Sequence, residues 1–194
     1  ISVGAVSTGN SDTIATLALV ATKTQTSPAK TTVTFLAAAS VFNKGIVVQA
    51  MGGVELSGDV TTALTQTEIN AGTGVLTVAS DKTLSTTGQL LKITADSIGL
   101  VATSAVSSGA AAITVDCSTN DRTVGLGAGT TQDLDLASAE VLLITATGGM
   151  TIGGTRCGSQ IVDGVTAPNS ANIAGVLTLL ASHTAGRTVT FSGA

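Results

Sequence analysis

The chain has 194 residues, a net charge of −4 and only 10% charged residues, against about 25% in ordinary globular domains. The acidic balance argues against a nucleic-acid or anionic membrane partner, and the apolar runs stop far short of the roughly 20 residues that a membrane helix needs. Hydrophobic residues make up 43% but aromatic residues only 2%, so we expect a core of Val, Ile, Leu, Ala and Thr beneath a hydroxyl-covered exterior.

No basic and apolar leader precedes Ile1, so we expect a mature product or an excised segment.

The first pattern in the chain occurs twice. Residues 16–35 then form an alternating strand, a polar turn and a second alternating strand, and residues 176–191 repeat this pattern with a shorter turn. Such a unit cannot bury its apolar side alone. We therefore predict that it stacks on similar units.

Short strands with small loops continue through the middle of the chain. The alternating segments are 45–50, 54–60, 74–79, 89–95, 97–102 and 111–116. Asn-Gly and Asp-Gly hairpin turns are nearly absent and cross-strand aromatic pairs are lacking, which disfavours an antiparallel sandwich or barrel. The pattern predicts one all-β domain over 1–194, a parallel β-solenoid of roughly 20 to 25 residues per turn and on the order of 40 Å long.

Two segments depart from the strand pattern. Residues 136–141 predict one helical turn capped by Ser138, and 64–69 predict a fainter copy of it; both are interpreted as loop decorations. Pro28 and Pro168 are predicted to lie in loops, so that neither interrupts a strand.

Cys117 and Cys157 match no zinc or redox motif, which leaves a disulfide or two buried thiols. Alternation in 113–117 places Cys117 inside. At 20 residues per turn the two cysteines would lie two turns apart, with their Cα atoms about 10 Å from each other. A disulfide requires a Cα separation of no more than about 7 Å. Only an enlarged turn carrying an insertion at 127–140 would bring them together. We expect free, buried thiols.

The C-terminal part of the chain resembles a family. The resemblance is carried by Arg122-Thr-Val-Gly-Leu-Gly127, Leu134-Asp-Leu-Ala-Ser-Ala-Glu-Val141, Met150-Thr-Ile-Gly-Gly154, Val162-Asp-Gly-Val-Thr166 and Asn172-Ile-Ala-Gly-Val-Leu-Thr-Leu179. These segments are similar to one repeat of the giant filamentous-haemagglutinin-like proteins, found among bacterial adhesins and algal surface proteins. The resemblance covers 110–194 and implies a right-handed parallel β-helix, an extracellular or cell-surface location and a structural or adhesive role.

Residues that suggest catalysis or ligand binding are few. His183 lies in the turn of the second copy, where the first copy has Lys23, and no motif supplies a catalytic partner. Asp133 and Asp135 share a strand face and could join Asp116 or Asp121 around calcium, but a solvated face is the simpler interpretation. Residues 125–129 are interpreted as turn glycines because no long helix follows them. We predict no enzymatic activity, no cofactor and no metal.

Two other functions remain as alternatives. The Thr-x-Thr pairs 22/24, 32/34 and 188/190 suggest an ice-binding β-solenoid, although they are confined to the repeated unit. A polysaccharide-acting β-helix enzyme is the less favoured alternative, because the chain has no Trp or Tyr to form sugar platforms.

The ends of the solenoid carry the functional prediction. An open sheet edge recruits another strand unless it is capped. The apolar residues expected at the two edges are Ile1, Val3 and Val6 at one end and Val189 and Phe191 at the other. We predict head-to-tail self-association into an extracellular filament or surface appendage.

Overall fold

The structure is a computed structural model that describes residues 1–7, 16–22, 31–128 and 130–192. The elements in these residues are, in chain order, β1 (Ser2–Val3), β2 (Leu17–Ala21), β3 (Val33–Phe35), β4 (Ser40–Val41), β5 (Ile46–Ala50), β6 (Val54–Leu56), β7 (Val60–Thr61), β8 (Thr67–Val78), β9 (Thr83–Ser85), β10 (Leu91–Leu100), β11 (Ala105–Gly109), β12 (Ile113–Asp116), β13 (Arg122–Gly127), β14 (Leu134–Leu136), α1 (Ser138–Leu142), β15 (Ile144–Ala146), β16 (Met150–Gly154), β17 (Cys157–Asp163), α2 (Ala167–Ser170), β18 (Leu177–Ala181) and β19 (Val189–Ser192). The predictions that concern Lys23, Thr24, Pro28 and Gly129 lie outside the described residues.

All strand pairings in the described part of the chain are parallel. The strands form three sheets of ten, five and four strands. The predicted all-β class with parallel strands is therefore confirmed. Both described parts of the repeated unit form strands, β2 and β3 in the first copy and β18 and β19 in the second.

The strands are arranged in three columns. Column one contains β2, β5, the first halves of β8 and β10, β12, β16 and β18. Column two contains β1, β3, β6 and the second halves of β8 and β10, and the third sheet (β14, β13, β17, β19) continues it because β14 lies beside β10. Column three is the five-stranded sheet, in the order β4, β7, β9, β11, β15. From β5 to β11 the chain visits the columns in a constant order.

Inward-facing aliphatic side chains form rows across the strands. The row through the centre of column one consists of Leu19, Val48, Ile69, Ile93, Val115, Ile152 and Leu179, each directly opposite the next. Its five inner members are at most 3% exposed, whereas the two leucines at its ends are only partly buried. Removing these side chains from water is the main source of stability in such a stack.

One hydrophobic cluster contains buried side chains from all three sheets. Val, Ile, Leu and Ala supply most of it, as the composition predicts, and buried Thr62, Thr67 and Thr86 also lie inside. Phe35 and Phe42 are buried as well, so two of the three phenylalanines in the sequence belong to the core.

Several predicted strand boundaries are wrong. The segments 89–95 and 97–102 form the single strand β10, because the chain stays extended while it passes from column one to column two. The segment 54–60 instead contains two strands, β6 and β7. The fainter helical copy at 64–69 is also wrong: Leu64 adopts a positive φ of 59° in a turn, and β8 begins at Thr67.

The predicted helical turn at 136–141 is present as α1, but its cap is different. Ser138 is the first helical residue, and its hydroxyl donates to the carbonyl of Gly164 at 3.2 Å. The side chain of Glu140 accepts the N–H of Ala137 at 3.0 Å instead. Pro168 lies in the short helix α2, so the predicted loop position is wrong, but the proline interrupts no strand. No helix within the described ranges has the length and apolar character needed to cross a membrane.

The regular order is interrupted between β12 and β15. After β12 the chain forms β13, and the next strand, β14, lies between β13 and β10 in column two. Column two thus receives two strands where column one passes directly from β12 to β16 and column three passes directly from β11 to β15. We call residues 118–143 the excursion.

Candidate functional site

Four of the five predicted interface residues lie in or next to the two outermost strands of column two. The fifth, Val6, lies beside β4 of column three, where its carbonyl accepts the N–H of Val41 at 2.7 Å. Ile1 is 52% exposed and Phe191 is 75% exposed, while Val3 is buried and Val6 and Val189 are half-buried. Ser2–Val3 form β1, and Val189 and Phe191 lie in β19. The structure therefore places Ile1 and Val3 at one end of column two and Val189 and Phe191 at its other end.

Each of these strands has one paired and one free edge. Within the described residues, β1 pairs with β3 and β19 pairs with β17. Thr34 and Leu36 donate their N–H groups to the carbonyls of Ile1 and Val3, each at 2.8 Å. Because alternate residues of a strand direct their backbone groups to opposite sides, the N–H and carbonyl of Ser2 face away from β3.

The same reasoning applies to β19. Gln160 of β17 donates its N–H to the carbonyl of Thr188 at 2.8 Å. Val189 and Phe191 consequently direct their N–H and carbonyl groups away from β17. Unpaired backbone groups of this kind form a template for another strand.

A disulfide joins the two cysteines, which corrects the prediction of free thiols. The sulfurs of Cys117 and Cys157 are 2.04 Å apart and their Cα atoms 5.2 Å apart. Both residues are buried, as expected for Cys117. The bond forms because the excursion occupies the chain between β12 and β16, which places Ile113 opposite Met150 and brings the following cysteines together. An enlarged turn between the two cysteines was the predicted requirement for a disulfide.

Polar contacts fix the corner next to the disulfide. The carboxylate of Asp96, itself buried, accepts the N–H of Thr119 at 2.7 Å and its hydroxyl at 2.5 Å. The guanidinium of Arg122 donates to the backbone carbonyl of Asp96 at 2.5 Å and to that of Asp133 at 3.1 Å. These contacts join β10, the loop after β12 and β14, so they stabilise the start of the excursion.

The four aspartates considered for calcium do not converge on one point. Asp121 pairs with Arg187 at 2.5 Å, and Asp133 accepts the N–H of Thr123 at 3.2 Å and its hydroxyl at 2.8 Å. Asp135 accepts the hydroxyl of Thr130. Asp116 lies beside the disulfide, in the only group of potential metal ligands found among the described residues. Both sulfurs of that group are bonded to each other and cannot serve as thiolate ligands.

The pKa of the Asp133 carboxyl is lowered by its surroundings. The hydroxyl of Thr123 and then its N–H stabilise the charged form and lower the pKa, more than partial desolvation raises it, and the positive charge of Arg122 acts in the same direction. The shift arises from the contact between Thr123 in β13 and Asp133, which directly precedes β14.

His183 and the glycine-rich segment have no catalytic surroundings. The Nδ1 of His183 lies 2.9 Å from the carbonyl oxygen of Thr155, in a turn, as predicted. Gly125 and Gly127 lie within β13, so the prediction that 125–129 is a turn is wrong for these two residues. Glycine is needed at position 125 for close packing, because a Cβ there would collide with the side chains of Asp135 and Thr130.

Two of the open surface depressions contain few ionisable groups. One of about 630 Å³ contains Glu55 as its only ionisable group. Another of about 230 Å³ contains Glu68 and Lys92, which are paired at 3.4 Å. Neither holds the two opposed carboxyl groups that glycoside hydrolysis requires.

Three residues that hold the excursion and the strands near the C-terminal end were not predicted from the sequence. Glu140 accepts the N–H of Leu100 at 3.0 Å, Asp96 holds the corner, and buried Gln160 donates to the carbonyls of Ile152 and Leu180 at 3.1 and 2.9 Å. Gly153, with φ of 96°, leaves room for the Gln160 amide. Only the Glu140 position carried a signal, as an acidic residue in a short helix.

Comparison of this chain with protein families, curated proteins and solved structures gives no match.

Proposed function

We propose that this chain is a structural segment of a right-handed parallel β-solenoid that assembles end to end into an extracellular filament or surface appendage. The observation that carries the proposal is the aliphatic row from Leu19 to Leu179. It crosses every strand of column one and ends at each side in a leucine that, within the described residues, pairs with a strand on one side only. A further layer would complete the burial of both.

The exposed apolar side chains support the same proposal. Ile1 and Leu17 are 52% and 40% exposed at one end, and Val176 and Phe191 are each 75% exposed at the other. Apolar groups clustered beside unpaired strand edges favour contact with another strand. Different ends meet in such a contact, so the association is heterologous and continues into a filament. Within a longer chain, covalently joined turns would serve the same purpose.

The disulfide supports an extracellular location. Cys117 and Cys157 are bonded in a chain with no other cysteine, and structural disulfides persist in oxidising compartments. An adhesive role and the relation to filamentous-haemagglutinin-like repeats rest on the sequence resemblance, together with the parallel sheets that the two would share.

Light scattering and electron microscopy of the purified chain test the proposal. Elongated particles are expected to lengthen as concentration rises. Phe191→Lys places a charge at the free edge and should give monomers, whereas Val101→Lys, at a side position that is 46% exposed, should assemble as the wild type does. A wild-type chain that stays monomeric at its highest soluble concentration would overturn the proposal.

Ice binding is a second candidate because a four-member hydroxyl ladder is present, longer than the ladder of Thr114, Thr151 and Thr178 on column one. Its members, each opposite the next on column three, are Thr61, Ser85, Ser107 and Thr145. The ladder is one residue wide, since the residues two positions earlier in the chain are Asp59, Thr83, Ala105 and Leu143. The predicted pairs do not extend it: Thr34 lies opposite Glu55, and Thr190 opposite Ile161. Thermal hysteresis of the chain in solution would favour this function over the structural one.

A further inference from the structure

We propose that β19 of one copy pairs in parallel with β1 of a second copy, with Val189 opposite Ile1, Thr190 opposite Ser2 and Phe191 opposite Val3. The inference rests on the proposed end-to-end assembly and specifies which strands meet and in which register. Column two, rather than column one, would then carry the contact.

The repeated unit supplies an internal template for this contact. Thr188-Val-Thr-Phe191 in β19 has the same sequence as Thr32-Val-Thr-Phe35 in β3. One edge of β3 is covered by β1 and the other by β6, which places Val54 opposite Val33 and Leu56 opposite Phe35. In β19 the edge facing β17 is occupied, and the edge that corresponds to the β6 side of β3 is free within the described residues.

The backbone N–H and carbonyl groups of β19 also face in the same directions as those of β3. On the β6 side, Val33 donates its N–H to Gly53 at 3.2 Å and Phe35 accepts the N–H of Ser57 at 2.8 Å. Val189 and Phe191, which hold the same places in β19, direct their backbone groups to the free edge. The N–H and carbonyl of Ser2 face away from β3 and fit between them, so Thr190 comes to lie opposite Ser2.

The side chains of β1 suit the position. Ile1-Ser2-Val3 has the apolar, polar, apolar order of Val54-Glu55-Leu56 in β6. The exposed ring of Phe191 would be covered by Val3 as the ring of Phe35 is covered by Leu56, and Ile1 would cover Val189. Ser2 and Thr190 would remain on the outside, where both are exposed now.

Cysteine cross-linking between two single variants tests the register. Residues directly opposite in a parallel pair lie about 4.8 Å apart, within disulfide range, whereas a partner two residues further along lies about 8 Å away and outside it. Ser2→Cys mixed with Thr190→Cys should give a covalent dimer under mild oxidation, at least about tenfold more than Ser2→Cys mixed with Ser192→Cys. The native disulfide is buried and does not interfere.

The controls separate the register from the assembly itself. Each single variant alone should give no dimer, and a dimer of Thr190→Cys alone would mean that like ends meet, which overturns the inference. Assembly by light scattering with cross-linking through Ser192→Cys, or through neither position, would overturn the register and leave the proposed function standing. Absence of assembly in the wild type would overturn both.

Discussion

Two regions of the molecule build the same column of parallel strands by different means. Between residues 31 and 117 the chain adds strands in order, and each inward side chain rests on the side chain about one turn earlier, as Leu76 rests on Val54 and Ile98 on Leu76. In the excursion, β14 is inserted between β10 and β13, where no strand pairing joins β14 to β10 in the described sheets.

The difference shows what replaces stacking where the regular order stops. In the regular region most backbone groups find partners in the neighbouring strand. At the excursion, the carboxylate of Glu140 in α1 accepts the N–H of Leu100, and the Asp96 carboxylate accepts the N–H of Thr119. A disulfide joins Cys117, just before the excursion, to Cys157 in β17. Side-chain hydrogen bonds and the disulfide therefore stabilise the excursion, as strand pairing stabilises the regular region.

The largest expected effect concerns the disulfide. Replacing both cysteines by alanine removes a link between residues separated by 40 positions. The chain-entropy relation gives a loss of about 4 kcal/mol in the free energy of unfolding. Urea unfolding would measure it, with circular dichroism to verify that the strand content is retained. A variant whose unfolding free energy equals that of the wild type would show that the excursion is held by its polar contacts alone.

The next effect concerns the regular stack. Ile93 is at the centre of the column-one row and is 3% exposed, whereas its neighbour Lys92 points outward to Glu68. Ile93→Ala should lower the free energy of unfolding by roughly 2 to 5 kcal/mol through lost burial and a cavity. Lys92→Ala should change it by less than about 0.5 kcal/mol, because an exposed ion pair contributes little. Equal effects in chemical denaturation would contradict the stacked-row description.

A smaller effect concerns Glu140. Glu140→Ala would leave the N–H of Leu100 without the acceptor now at 3.0 Å, at a cost of about 1 to 2 kcal/mol. Hydrogen exchange at the Leu100 amide should accelerate, while exchange at Ile93, in the regular part of the same strand, should not. Glu68→Ala, which removes an exposed glutamate, is the matched control. Unchanged exchange at Leu100 would mean that water satisfies the amide equally well.

The regular region was predictable because alternation reports directly which side chains face inward. Val48 and Ile93 follow the pattern and lie in the row. The continuity of β8 was not predictable, because Gly72 and Gly74 are typical of turns. Here they lie at the passage between two columns, where a Cβ would collide with the backbone of Met51 and Gly52.

The excursion was not predictable, for a different reason. Apolar and polar residues alternate around Val124 and Leu126 in β13, as they do around Leu134 and Leu136 in β14. This alternation does not show that β14 pairs with β13. The cysteine pairing depends on that path, so a count of residues per turn gave the wrong distance. β19 could be located from the repeat, yet the fact that β1 and β19 belong to one column required the strand pairings and the position of β14 beside β10.

The smallest effect concerns Asp133 at the start of β14. The hydroxyl and N–H of Thr123 donate to its carboxylate, and both contacts lower its pKa below the ordinary value for aspartate. A pKa depressed by folding contributes stability that is present above the unfolded value, near pH 4, and is lost as the pH falls through the folded value. Because Asp133 is exposed, we expect the unfolding free energy to respond only weakly. NMR titration of its carboxyl carbon should show the pKa rising towards the ordinary value in Thr123→Val, which removes the hydroxyl, and staying lowered in Thr145→Val, a change on column three. An unchanged Asp133 pKa in Thr123→Val would mean that the polar contact between β13 and β14 does not form in solution, and that the disulfide and the Asp96 corner hold the excursion without it.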